Sequence, residues 1–93
     1  MIESFKHKGL QELFEKGKTS KLPQERLKKI KMALAVLDAT QELKDVNVPT
    51  FRLHKLKKPP LNNYHSIDIN GNYRIIFWFT DGKTSELDYL DTH

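Results

Sequence analysis

Cysteine is absent from this 93-residue chain. That excludes a disulfide framework and any thiolate zinc site, and it suits a reducing compartment. Long apolar runs are missing as well, so no segment reads as a membrane span. The first residues, Met1-Ile2-Glu3-Ser4-Phe5-Lys6-His7, lack the core of a signal peptide. The expectation is a cytoplasmic protein with no membrane partner. Glycine is scarce, at four residues, and none builds a phosphate-cradling loop; Gly71 and Gly82 fall in turn signals. The histidines His7, His54, His65 and His93 show no metal-ligand spacing. HExxH and paired-carboxylate motifs are missing, and no serine stands in a nucleophile elbow. Neither a metal nor an organic cofactor is expected.

Acidic residues are missing from one stretch in particular, between Asp45 and Asp68, where Arg52, Lys55, Lys57 and Lys58 all fall. The segment after Thr80 runs the other way, with Asp81, Glu86, Asp88 and Asp91 against Lys83. A net charge of +4 and a pI near 9.4 favour a polyanionic partner. The uneven distribution points to a patch, although a lysine-rich loop is also what a solvated surface looks like.

The length suits one domain over residues 1–93,. Leu10, Leu13 and Phe14 have helical spacing, and Gly17 is placed to end that helix. Pro23 is placed at the first position of a second helix. There Leu27, Ile30, Leu34 and Leu37, flanked by Ala33 and Val36, form a stripe that packs on a sheet. Residues 40–49 form a connector with room for one helical turn. The remainder is strand-like. Phe51 and Leu53 alternate with Arg52 and His54, then Pro59-Pro60 and Asn62-Asn63 make a loop. His65, Ile67 and Ile69 alternate with polar residues up to the turn Asn70-Gly71-Asn72. Tyr73 to Phe79 is a central strand, and Ser85 to Leu90 the last.

The register of the last hairpin is decided by side-chain parity. A two-residue turn at Asp81-Gly82 sets Ile75 opposite Asp88. A three-residue loop, Thr80-Asp81-Gly82, sets Ile75 opposite Leu87 and Tyr73 opposite Tyr89, and is preferred because a one-residue slip turns every side chain over. The helix-covered face then carries Tyr73, Ile75, Phe77, Leu87 and Tyr89. Arg74, Ile76 and Trp78 lie on the open face, and His54 joins them if Phe51 and Leu53 are core. Ile76 and Trp78 either stack on a base or dock a partner, or pack beneath a loop or the termini. The fold class is α+β, with two N-terminal helices on one face of a small antiparallel-rich sheet.

An open face with these groups suits metal-free RNA cleavage. RNA carries its own nucleophile, the 2′-hydroxyl. The protein need only move two protons and stabilise charge on phosphorus. Histidine titrates near neutrality and can do the first; arginine and lysine can do the second. His54 and His93 are the candidate acid and base, and Arg74 and Lys57 the candidate stabilisers. Asp91 is placed to orient a ring or a cation. His7 and His65 read as structural.

Several pieces occur in an order that resembles the RelE/ParE superfamily of bacterial toxins, in its HigB or "host inhibition of growth" branch. They are Ser4-Phe5-Lys6-His7-Lys8-Gly9-Leu10 followed by Leu13-Phe14-Glu15, then Leu37-Asp38-Ala39-Thr40. After these come Arg52-Leu53-His54-x-Leu56-Lys57, and Ser66 with Asn70-Gly71-Asn72-x-Arg74-Ile75. Asp91-x-His93 matches at the C-terminal end. The resemblance implies a RelE-like, microbial-ribonuclease-like fold and a messenger-RNA endonuclease acting in the ribosomal A site. Its implied partners are the ribosome with its mRNA and a helix-turn-helix, HigA-like antitoxin. Operator DNA is bound only through the toxin–antitoxin complex. Carried over position by position, the functional residues are His54, Lys57, Arg74, Asp91 and His93. The charge distribution, apart from the resemblance, makes Arg52, Lys55, Lys57 and Lys58 the candidate RNA- and ribosome-binding set. Lys55 stands where the branch usually has proline, Lys58 where it has glycine, Tyr73 where it has tryptophan and Thr92 where it has tyrosine; threonine cannot stack on a base. Two other readings are a non-catalytic, gyrase-binding toxin of the ParE kind and an inactive domain that pairs only with antitoxin and DNA.

Overall fold

The computed structural model describes residues 1–91. Helix α1 spans Lys8–Lys16. His7 caps it: its Nδ1 accepts the Leu10 N–H at 3.2 Å, satisfying one of the unpaired donors of the first turn,. Gly17 ends it at φ 70°, where a residue with a Cβ is strained, and the Lys18 N–H turns back to the Glu12 carbonyl at 3.2 Å,. Leu10 and Leu13 are buried, while Phe14, expected on the same stripe, remains 39% exposed against the ring of Phe5.

Pro23 does not open the second α-helix directly. It precedes a short 3₁₀ turn, Gln24–Arg26, and α2 follows over Leu27–Ala39. Without an N–H, proline suits the start of either kind of turn, and the tighter one forms first. The expected stripe is in place: Ile30, Ala33, Leu34 and Leu37 are buried, with Leu27 and Val36 packed beside them. The connector holds one 3₁₀ turn, Leu43–Asp45. There the Asp45 carboxylate accepts the Gln41 and Glu42 N–H groups, which hold it below the usual carboxylate range.

The sheet is antiparallel in the order β1-β2-β3-β4. Its strands are β1 (His54–Lys55), β2 (His65–Asn70), β3 (Tyr73–Thr80) and β4 (Lys83–Asp91). The first strand is shorter than the alternation from Phe51 suggests. Arg52 takes φ 49°, which breaks an extended run before His54, although Phe51 is core as expected.

The last hairpin corrects the expected register. Thr80 faces Lys83 across a two-residue turn, with Asp81 and Gly82 both at positive φ, as a tight hairpin turn requires. A bulge then follows: Glu86 sits at φ 56°, and beyond it Ile75 faces Tyr89 and Tyr73 faces Asp91. The extra residue restores the parity that the short turn would have reversed. Ile75, Phe77 and Leu87 therefore share the buried, helix-covered face, as the pattern required.

The β4 edge is covered by the N-terminal segment, which runs parallel to it through Ile2 at Thr84 and Phe5 at Leu87. The Glu3 and Lys6 N–H groups each donate to it at 2.7 Å, so this edge offers no template for aggregation.

Candidate active site on the open sheet face

Two cross-strand rows build the open face. In one, His54 faces Ser66, Ser66 faces Ile76 and Ile76 faces Asp88. In the other, Asp68 faces Arg74 and Arg74 faces Leu90. Directly paired residues share a face, so His54 and Arg74 lie on the same side of the sheet. Over this side arches the segment from residue 56 to residue 64. The Leu56 N–H donates to the Tyr64 carbonyl at 2.8 Å and the Asn63 N–H to the Leu56 carbonyl at 3.0 Å, tying the loop at its base.

Between loop and sheet lies a cleft of ≈ 250 Å³. Leu56, Leu61, Ile76 and Leu90 form its apolar walls, and Lys57, Lys58 and Arg74 its charged ones. Ser66 lies in its floor, fully buried, and the hydroxyl has no hydrogen-bond partner among the described residues. Three cations around a partly apolar hollow make a seat for an anion that also carries a hydrophobic surface.

Among the expected residues, Lys57, Lys58 and Arg74 line the cleft together. His54 is exposed at the sheet edge, beside Ser66. Lys55 pairs with His65 and so points to the other side. Asp91 aligns with Tyr73, one residue beyond the cleft wall at Leu90, and alternation along β4 sets it on the Tyr73 side of the sheet. Thr92 and His93 lie outside the described residues. Arg52 is 70% exposed in its side chain and stands 3.7 Å from Asp68.

His7 and His65 have structural surroundings. His7 caps α1 and meets Tyr89 edge-on. His65 stacks on Phe77 at 5.8 Å, and burial, with Lys55 nearby, pushes its pKa down. Ile76, at 1% exposure, is packed in the cleft floor under the loop. Trp78 meets Tyr64 edge-on at 5.2 Å and donates its Nε1–H to the Thr80 hydroxyl at 2.9 Å. Both residues therefore take the packed alternative.

Asp68 escaped the sequence reading as a site residue. Its Oδ1 lies 3.3 Å from the Arg74 Nε and its Oδ2 3.7 Å from the Arg52 Nε. An acid alternating with isoleucines reads as an ordinary solvent-facing strand residue. Only the register, which sets it against Arg74, marks it out. No three histidine or acidic side chains among the described residues are grouped to hold a metal ion.

Comparison with known proteins bears on this geometry. A family model described as the RelE-like toxin of the type II toxin–antitoxin system HigB matches residues 3–93. Endoribonuclease HigB of Proteus vulgaris is 42% identical over 93 residues, covering 100% of each chain. Toxin HigB-1 of Vibrio cholerae serotype O1 is 32% identical over 94 residues, covering 100% of this chain and 98% of its own.

Proposed function

Since the chain belongs to the HigB-like family of RelE-like toxins from type II toxin–antitoxin systems, we propose that it is an endoribonuclease that cleaves mRNA in the ribosomal A site. The observation that carries this reading is the convergence of Lys57, Lys58 and Arg74 on one cleft, with His54 on the same face of the sheet.

The reaction is an internal transesterification. A base removes the proton of the 2′-hydroxyl, and the oxygen attacks the adjacent phosphorus. The bond from phosphorus to the 5′-oxygen breaks, and an acid protonates the departing oxygen. The products are a 2′,3′-cyclic phosphate and a 5′-hydroxyl. His54 and His93 carry the two protons. Arg74 and Lys57 stabilise the charge that grows on the phosphoryl oxygens, a contribution that strengthens in a cleft with apolar walls. Asp91, which follows Leu90 but stands on the Tyr73 side of the sheet, is assigned the orientation of a ring or cation at the C-terminal end. Arg52, Lys55 and Lys58 supply further charge for the RNA and ribosome. The nucleophile belongs to the substrate, so the scheme requires no metal.

Membership of a type II system gives the toxin an antitoxin partner. In our reading it is a helix-turn-helix, HigA-like protein, and the pair binds operator DNA through the antitoxin.

Single-turnover cleavage of a programmed ribosome in the presence of a chelator tests the reaction. A cyclic phosphate product and a 5′-hydroxyl are expected. His93→Gln should lower the rate by about 10²–10⁴ while leaving ribosome binding nearly unchanged. A wild-type rate from that variant would remove the terminal histidine from proton transfer, and absence of cleavage by the wild type would overturn the enzymatic reading.

A further inference from the structure

We infer that Asp68 is a positioning residue for Arg74, holding one edge of its guanidinium so that the opposite edge faces the phosphate of a bound RNA. The inference rests on the cleavage reading above and adds a residue to it.

The geometry has three parts. First, Asp68 and Arg74 are direct cross-strand partners, so their backbones are fixed relative to each other by the ladder. Second, the contact is made at the Arg74 Nε, 3.3 Å from Oδ1. This engages the Nε edge and leaves the end edge, between the two terminal nitrogens, for the substrate. Third, Arg74 lines the cleft, while Asp68 is not among the lining residues. The carboxylate therefore stands behind the guanidinium. An acid in front of it would compete with phosphate; an acid behind it orders the cation and leaves its terminal nitrogens to the substrate.

The side chains are graded in exposure. Asp68 is 19% exposed and Arg74 33%, against 70% for Arg52. The Asp68–Arg74 pair is the more buried one. Arg52 is the outer cation, and its loop is also tied to Asp68 through the backbone: the Asp68 N–H donates to the Phe51 carbonyl at 2.7 Å. The buried Oδ1 makes no well-aligned hydrogen bond among the described residues. Such contacts commonly tighten when the substrate arrives. Arginine has many rotamers, and fixing it before binding confers rate through orientation.

A double-mutant cycle tests the inference. Asp68→Asn is expected to lower the single-turnover cleavage rate roughly ten-fold and to move half-saturation by less than about three-fold. In the Arg74→Ala background the same substitution should change the rate by less than about two-fold, because its effect passes through the arginine. An equal loss in both backgrounds would overturn the inference, as would tighter binding or faster cleavage by Asp68→Asn. A second readout is independent of activity. In complex with a short RNA whose 2′-hydroxyl at the cleavage position is replaced by hydrogen, the Arg74 Nε–H of the wild type should be protected from solvent exchange in nitrogen-15 NMR and should lose that protection in Asp68→Asn. If the variant does not fold, the wild-type signal decides alone: rapid exchange overturns the inference and protection supports it. An Arg74→Ala variant that cleaves normally would count instead against the cleavage scheme.

Discussion

Ser66 is the residue whose surroundings are hardest to explain by folding alone. Its hydroxyl is fully buried with no partner among the described residues, and a buried unpaired polar group costs about 1–3 kcal/mol. Its place beneath the cleft suggests a test of the proposed cleavage reading, in which an RNA oxygen or hydroxyl entering the cleft would supply the missing hydrogen bond. Ser66→Ala should therefore leave thermal stability unchanged or raise it by up to about 1 kcal/mol, and should weaken RNA binding by roughly five-fold. Melting curves and binding isotherms of the two proteins check this. A clear loss of stability with unchanged binding would mean that the hydroxyl serves the fold. Residue type and strand pattern made His54 and Arg74 legible as companions on one face. They did not reveal Ser66 or Asp68, because their roles depend on what lies across the ladder, and pairing is a property of two segments.

At the scale of elements, the β3–β4 hairpin shows where reading from sequence reaches its limit. The apolar alternation of Tyr73, Ile75, Phe77, Leu87 and Tyr89 demanded one shared face, and a shared face formed. The loop length was misjudged because two devices give the same parity: a three-residue loop, or a two-residue turn with a bulge. The molecule uses the second, and Glu86 carries the bulge at φ 56° with its N–H donated to the Ser4 hydroxyl at 2.9 Å. Nothing in a glutamate between Ser85 and Leu87 announces a left-handed backbone. The consequence is measurable. A β-branched side chain is strained at positive φ, so Glu86→Val should destabilise the protein by about 1–3 kcal/mol. Glu86→Gly fits that conformation and should change stability by less than about 1 kcal/mol. Chemical unfolding of both variants separates them; equal losses would show that the side chain matters more than the backbone. The same reasoning explains β1. Its alternation from Phe51 looked like a longer strand, but Arg52 turns the chain to bury Phe51 and present His54 at the edge.

At the scale of the whole molecule, the fold gives the two faces of the sheet different surroundings. Helices α1 and α2 seal one side of the sheet, and the N-terminal segment seals the β4 edge. What remains open is the side beneath the lysine loop, where the acid-free stretch between Asp45 and Asp68 delivers Lys57 and Lys58. A net charge of +4 is modest, so in the proposed reading the attraction for RNA rests on this local concentration. Each phosphate neutralised releases condensed counterions, and log affinity for a single strand falls with log salt by about 0.7 per contact. If Lys57 and Lys58 each meet one phosphate, replacing both with alanine should weaken binding at low salt and flatten the slope by about 1.4. Both lysines are exposed and line the cleft rather than the core, so the double variant should fold normally. Equilibrium binding to a short single-stranded RNA across a salt series measures the slope for both proteins. An unchanged slope would make the loop a solvated surface and leave Arg74 and Arg52 as the main phosphate contacts. A flattened slope with cleavage lost in the same proportion as binding would show that the lysines hold the strand, leaving the chemical step to the arginine and the histidines.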